Sequence, residues 1–398
     1  MKNRSILSGI LLLMFILTSC TGNVPAKTPI ANPSAVAAVV STMLAGIPTA
    51  TPQPQSTASL TPEPPTVLPR SLYYLAQDAN GKGQIFRLGR DGTTITQITF
   101  EQEGVNGFDI SPVDGTIAYV VGNKLIVVEA NGANNQTLVQ DSNVKNLYRP
   151  MWSPVEKAIA YDNGRDVIFY SFDMEKSGVL LMGSDTENNY PVLFSPDGNK
   201  LIVRRHKIPS SPESPIFIYD FASTKLIPII VDDKKYPCFG SVSWITSDTF
   251  FCSNHVLAGA MLSGLWRVNF VHGSIETLIG SQTPPFLLVV APRQDADGNL
   301  YYLYGTDSGV HASGDPYPVF SLVRSDTDGQ TNRVSLRSET FPVWTASWTP
   351  DGKALIILGQ KGFDAPFTLS LIPVDPSLPE VELLPNMSTN IFSMEWGP

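Results

Sequence analysis

From Ser71 to Pro398 the chain runs as short apolar stretches, among them Leu72-Tyr73-Tyr74-Leu75, Ile117-Ala118-Tyr119, Ile159-Ala160-Tyr161 and Leu201-Ile202-Val203, separated by turns rich in Gly, Pro, Asn and Asp. Brief β-branched and aromatic runs bounded by turn residues predict strands. The runs are not independent: an aromatic or apolar residue, a Ser-Pro-Asp-Gly-like turn and an apolar strand recur in that order. The clearest copies are Ser111-Pro112-Val113-Asp114-Gly115, Trp152-Ser153-Pro154, Phe194-Ser195-Pro196-Asp197-Gly198 and Trp348-Thr349-Pro350-Asp351-Gly352, with weaker ones at Trp244 to Asp248 and Ala296 to Asn299. Taken at the proline position, the spacings are 42, 42, 50, 50 and 54 residues. That period predicts one propeller blade of four antiparallel strands per repeat.

The turn residues have separate physical roles. Proline presets φ, Asp bonds its own backbone two residues on, and Gly takes φ > 0, so the hairpin between the first and second strands (A and B) closes without strain. The ring before the turn is expected to fill the wedge between adjacent blades. A second turn signal, as at Arg90-Asp91-Gly92, Asn131-Gly132, His272-Gly273 and Asp326-Thr327-Asp328-Gly329, separates strands C and D. The Asp-x-Asp-Gly forms lack the other ligands of a calcium loop and read as turns. At the two ends, Ser71-Leu72-Tyr73-Tyr74-Leu75 matches the B strand Asn299-Leu300-Tyr301-Tyr302-Leu303, and Met394-Glu395-Trp396-Gly397-Pro398 matches the end of an A strand. The C-terminal strand is therefore expected to complete the N-terminal blade. Six internal anchors and this shared blade predict an all-β, seven-bladed β-propeller over 71–398.

The Ser-Pro-Asp-Gly-Asn-Lys-Leu-Ile pattern at Ser195 to Ile202, with its degenerate copies, resembles the WD40-like repeats of TolB-type propellers. Similar repeats build the propeller of dipeptidyl-peptidase-like enzymes. The resemblance implies the fold and no particular activity, because the motif is a structural turn. The chain departs from TolB itself, which has six blades after a small α/β domain.

The first seventy residues have another pattern. Lys2 and Arg4, the apolar stretch Ile6 to Leu17 and then Leu17-Thr18-Ser19-Cys20 read as a signal peptide over 1–19. The tetrad resembles the lipobox of bacterial lipoproteins, which implies lipidation of Cys20. Residues 21 to 70 hold ten Pro, eight Thr, eight Ala and four Ser, so 20–70 is expected to be a lipidated, extended tether that cannot bury enough apolar surface to fold. The chain is then anchored to the cell membrane and extracytoplasmic, at the surface or in the periplasm. Charge bears on partners: Lys2, Arg4, Lys27 and Arg70 against Glu63 leave −12 of the net −9 on the remaining residues. Such a domain lacks the positive footprint that nucleic acid requires.

Candidate chemistry is sparse. No Gly-x-Ser-x-Gly elbow, His-x-x-x-His or Cys-x-x-Cys occurs, so neither a hydrolase nucleophile nor a metal site is expected, and nothing implies a cofactor. The segments between strands B and C are long at Lys207 to Pro215, Asn254 to Ser263, Gly305 to Pro318 and Gln360 to Pro366. All B–C loops leave one face, where His206, Tyr236, His255, His311, Asp315 and Tyr317 are candidate binding residues, since binding concentrates in long loops on rigid scaffolds. The expected function is non-enzymatic binding or scaffolding of a protein, peptide or glycan. A hydrolase or lyase at the channel mouth is the alternative, favoured by carboxylates, histidine or metal there. With Cys20 given to lipid, Cys238 and Cys252 are the remaining thiols, and parity in an oxidising compartment predicts a disulfide between them, the other reading being that Cys252 is a small core residue.

Overall fold

The computed structural model describes residues 66–208, 215–229, 241–254, 263–271, 274–281, 285–307, 318–360, 365–387 and 391–398. Among them there is no helix, and the strands form seven sheets. Blade 1 combines Leu72–Gln77, Gly83–Leu88 and Ile95–Gln97 with Ser393–Trp396 from the C-terminus. Blades 2, 3 and 4 begin with the A strands Gly107–Ile110, Tyr148–Trp152 and Glu187–Phe194; blades 5, 6 and 7 begin with Val242–Thr246, Phe286–Gln294 and Thr345–Trp348. Blades 2 to 5 and 7 are plain antiparallel meanders. In blade 6 the outer strand is broken, with Val334–Ser335 and Phe341–Pro342 both pairing to Val319–Ser325.

The turn motif closes its hairpins as its residue types require. In blade 4 the Ser195 hydroxyl donates to Asp197 at 2.6 Å and accepts from the Lys200 amide at 3.0 Å, while Gly198 adopts φ +71°. Burial alone would raise the Asp197 pKa, but the Ser195 hydroxyl and the Asn199 amides outweigh it and hold the carboxyl at about 2. Thr349 and Asp351 repeat the arrangement in blade 7.

Apolar side chains collect into seven clusters, each shared by two adjacent blades. The aromatic before each turn sits in such a wedge: Trp152 stacks on Phe172 at 5.3 Å between blades 2 and 3, and Phe194 on Phe221 at 6.1 Å between blades 3 and 4. The core is thus a ring of interfaces, which lets one domain exceed the size at which a single core stops growing.

Closure follows the expected pairing. Leu72 faces Trp396 and Leu75 faces Ser393 across an antiparallel ladder, and the Gly397 amide donates to the Ser71 carbonyl at 3.0 Å. The boundary differs from the sequence reading, which left residues up to 70 in the tether. Leu68 is buried between blades 7 and 1, and the Val67 and Leu68 amides both donate to the Arg90 carbonyl. An isolated Leu in a Pro/Thr-rich stretch carries no periodicity; only the wedge it fills identifies it as core. Residues 1–65, including Cys20, lie outside the described residues.

Candidate functional site

The A strands are innermost, so their exposed edges line the central channel. Those of blades 1 to 4 bound a cavity of about 750 Å³. Its walls include Phe108, Met151, Trp152, Leu193, Phe392 and Trp396, with three arginines, Arg70, Arg149 and Arg204, and two carboxylates, Asp109 and Glu395. Both carboxylates belong to the motif: each immediately precedes the aromatic or apolar residue before a turn, Asp109 before Ile110 and Glu395 before Trp396. In blades 3 and 4 that position holds Met151 and Leu193.

Asp109 fastens blade 2 to blade 3, because its Oδ2 accepts the Trp152 amide at 2.5 Å while Oδ1 accepts the Ile110 amide at 2.8 Å. What exposure the two carboxyls keep is into the cavity they line. Burial pushes Asp109 up to about 6 in spite of the two backbone amides. Glu395 rises well above the usual carboxylate range, through burial first and the charge of Asp109 second. The two titrate as a pair that resists double ionisation. Ser393, two residues from Glu395 on the same side of the strand, buries its Oγ without a hydrogen-bond partner among the described residues, and so does Trp396 its indole N–H.

A second cleft, of about 360 Å³, opens beside the channel between blades 3 and 4. It is lined by Tyr148, Arg149, Asp162, Gly164, Asn188, Asn189, Tyr190 and His206. These residues lie at the starts of A strands and the ends of B strands, which places the cleft on the B–C face. Arg149 and Tyr190 line both spaces, so the two adjoin across these side chains.

Arg149 occupies a register shift between Tyr148 and Met151, with φ +46°. A left-handed arginine costs about 1–3 kcal/mol and persists only where its surroundings over-determine it. Here Nη1 donates to Asp162 at 2.9 Å, and the guanidinium lies 4.2 Å from the Tyr190 ring centroid. Among the described residues that is its one hydrogen bond, and the side chain stays 51% exposed. Its other N–H groups are open to the cavities. The buried Asp162 carboxyl also accepts the Gly164 amide at 3.0 Å, yet burial outweighs Arg149 and raises its pKa. Blade 6 has a comparable bulge at Ala291, φ +49°, where the carbonyl released from the ladder accepts the Trp348 indole at 2.7 Å. That bulge is a structural clasp; the one in blade 3 presents a cation.

Of the sequence-derived binding candidates, His206 lines the cleft opposite Asn188 in the ladder. Tyr236, His255, His311, Asp315 and Tyr317 lie outside the described residues. The long segments do run between B and C strands, as in Thr249–Asn254 to Ser263–Asn269. The two cavities described above open at blades 1 to 4. Cys252 is buried opposite Val242 and Trp266 and is disulfide-bonded; Cys238 lies outside the described residues. Among the described residues no three His, Cys, Asp or Glu side chains gather to hold a metal ion. Sequence reading passed over Asp109, Glu395 and Arg149. Superposing the repeats would have exposed the first two, as the carboxylates at a motif position that elsewhere holds Met151, Leu193, Ser243, Arg293 and Ser347; nothing local marks the third.

No protein-family model matches the chain, and no curated protein matches it. Solved structures do. A prolyl endopeptidase structure is 10% identical over 84% of this chain, with a TM-score of 0.53, and this chain spans 50% of its length. An oligogalacturonate lyase in complex with manganese is 13% identical over 76% of this chain and 81% of its own, with a TM-score of 0.50. TolB from Acinetobacter baumannii is 15% identical over 83% of both chains, with a TM-score of 0.42. At these identities the likeness shows the β-propeller fold alone.

Proposed function

We propose that the chain is a lipid-anchored, extracytoplasmic binding protein of TolB-like repeat type, which takes a protein, peptide or glycan ligand on its B–C face. The ligand enters where the blade 3–4 cleft meets the channel. One observation carries this reading: Arg149, held in a costly backbone conformation, presents uncommitted donors to two adjoining cavities. Strain of this kind concentrates at ligand sites, and pre-organised donors lower the ordering cost of binding.

The test screens free-acid and amidated peptides, with neutral and acidic oligosaccharides, against the full-length protein and its Arg149→Ala variant. A ligand lost in the variant at unchanged melting temperature supports the reading. A ligand indifferent to Arg149 moves the site elsewhere. The second reading, a hydrolase or lyase in the channel, is favoured by the Asp109–Glu395 pair, since a carboxyl raised to about 6 beside another suits acid–base chemistry. Turnover of a screened ligand, abolished by Asp109→Asn, decides for the enzyme.

A further inference from the structure

The geometry points to a polypeptide C-terminus ending in a basic residue as the ligand: its α-carboxylate on Arg149, its lysine or arginine side chain running down the channel wall to Asp109 and Glu395. This rests on the proposed site and goes beyond it by naming what the two charge centres recognise together.

The spacing comes from the strands. A Cβ placed on Gly107 would lie 3.5 Å from the Arg149 amide nitrogen, so Gly107 and Arg149 stand at one level of the channel. Asp109 is two residues further along the same strand, about 7 Å deeper. A lysine side chain, with four methylenes between its backbone and its charge, covers that distance. The wall between the levels is apolar, with Phe108, Met151 and Leu193 beside it. Such a wall suits the aliphatic stem of a long basic side chain and offers little to a sugar, whose hydroxyls need partners.

The ends are complementary as well. Guanidinium pairs bidentately with carboxylate, and Arg149 has donors to spare. At the other end Asp109 and Glu395, on the inner strands of adjoining blades 2 and 1, line the same cavity, and among the described residues neither forms an ion pair. The unpartnered Ser393 hydroxyl lies on the same face as Glu395, one strand repeat toward the mouth. An ammonium there relieves the carboxylate repulsion and can donate to both carboxyls, with the Ser393 hydroxyl on its way in. The preceding residues of the ligand leave through the blade 3–4 cleft past Asn188 and Tyr190 onto the open face, which is why a chain terminus is favoured over a free amino acid.

Calorimetric titration of the full-length protein in detergent tests this with four probes: an acetylated pentapeptide ending in lysine as the free acid, its C-terminal amide, the same peptide ending in leucine, and free lysine. Binding of the lysine acid, weakened roughly tenfold or more by amidation and by leucine, is the expected result. In Asp109→Asn/Glu395→Gln, which keeps an acceptor for the Trp152 amide, the preference for lysine over leucine disappears. In Arg149→Ala the acid–amide difference disappears. Tighter binding of free lysine than of the peptide overturns the C-terminus in favour of an amino-acid site. Equal binding of acid and amide, or no binding of any probe at millimolar concentration, overturns the proposal. If another screened ligand still requires Arg149, only this inference falls; if none does, the binding reading falls with it.

Discussion

Asp109 and Glu395 are charges kept at a cost, and their pKa shifts give that cost a sign. Both folded values lie above the ordinary carboxylate range, so the folded state holds protons that the unfolded chain releases. Both contributions are fully present below about pH 4; that of Asp109 is lost as the pH rises through about 6, and that of Glu395 is lost further up the pH scale. Asp91, held at about 2 chiefly by the Thr94 hydroxyl and amide, and Asp197, also near 2, act oppositely and lose their contribution only as the pH falls through those values. The melting temperature is therefore expected to peak near pH 4, where the raised carboxyls are still protonated and the lowered ones already ionised, and to decline toward pH 8. Asp109→Asn should raise stability at pH 8 by about 2 kcal/mol and flatten that decline, because the amide oxygen still accepts the Trp152 N–H. Thermal melts across pH 4 to 8 measure both effects; a variant less stable than the parent at pH 8 would show that the charge is compensated. A stabilising change at the cost of binding is the pattern of a functional site.

Among the elements, the closing strand Ser393–Trp396 and the turn beside it have the largest consequences. Removing residues 391–398 strips blade 1 of its inner strand and opens an edge, so the truncated protein should aggregate; a truncation that melts like the parent refutes closure as the source of stability. Gly115 offers a milder version. It sits at φ +77°, and a Cβ there would lie 2.8 Å from Pro398 Cγ. Gly115→Ala is expected to cost about 1–3 kcal/mol by denaturant titration. In blade 5, Cys252 is disulfide-bonded, and we propose Cys238 as its partner. Their loop of about fifteen residues gives about 3 kcal/mol in the chain-entropy model. Peptide mapping of the unreduced protein should find the two joined, and a free Cys238 thiol would reassign the bond. The element level was largely legible beforehand: the Ser195 and Thr349 turns, the inter-blade rings and the half-blades at Leu72 and Trp396 all stand where local chemistry put them. The split outer strand of blade 6 was not, because its pieces, Val334–Ser335 and Phe341–Pro342, are too short to carry a period.

For the whole molecule, we propose that a lipid anchor at Cys20 and the Pro/Thr-rich tether display the proposed binding face away from the membrane. Mass spectrometry of the mature protein is expected to find a diacylglyceryl group on Cys20; an uncleaved Met1 terminus would remove the membrane from the account. Seven wedge-shaped interfaces make the ring stiff, so the site depends on which blades are neighbours more than on any one blade. Blade number, strand order and closure were determined by the sequence itself, because they follow from turn chemistry and periodicity repeated often enough to outweigh its degenerate copies. What only the tertiary structure decided is the site. Asp109 and Glu395 are 286 positions apart and come to line one cavity because the ring closes. Arg149 becomes a presented cation because a bulge turns it toward an aspartate and a tyrosine of its own and the next blade. Local patterns encode how each strand lies in its sheet; the approach of charges across blades depends on ring geometry, which no single segment contains.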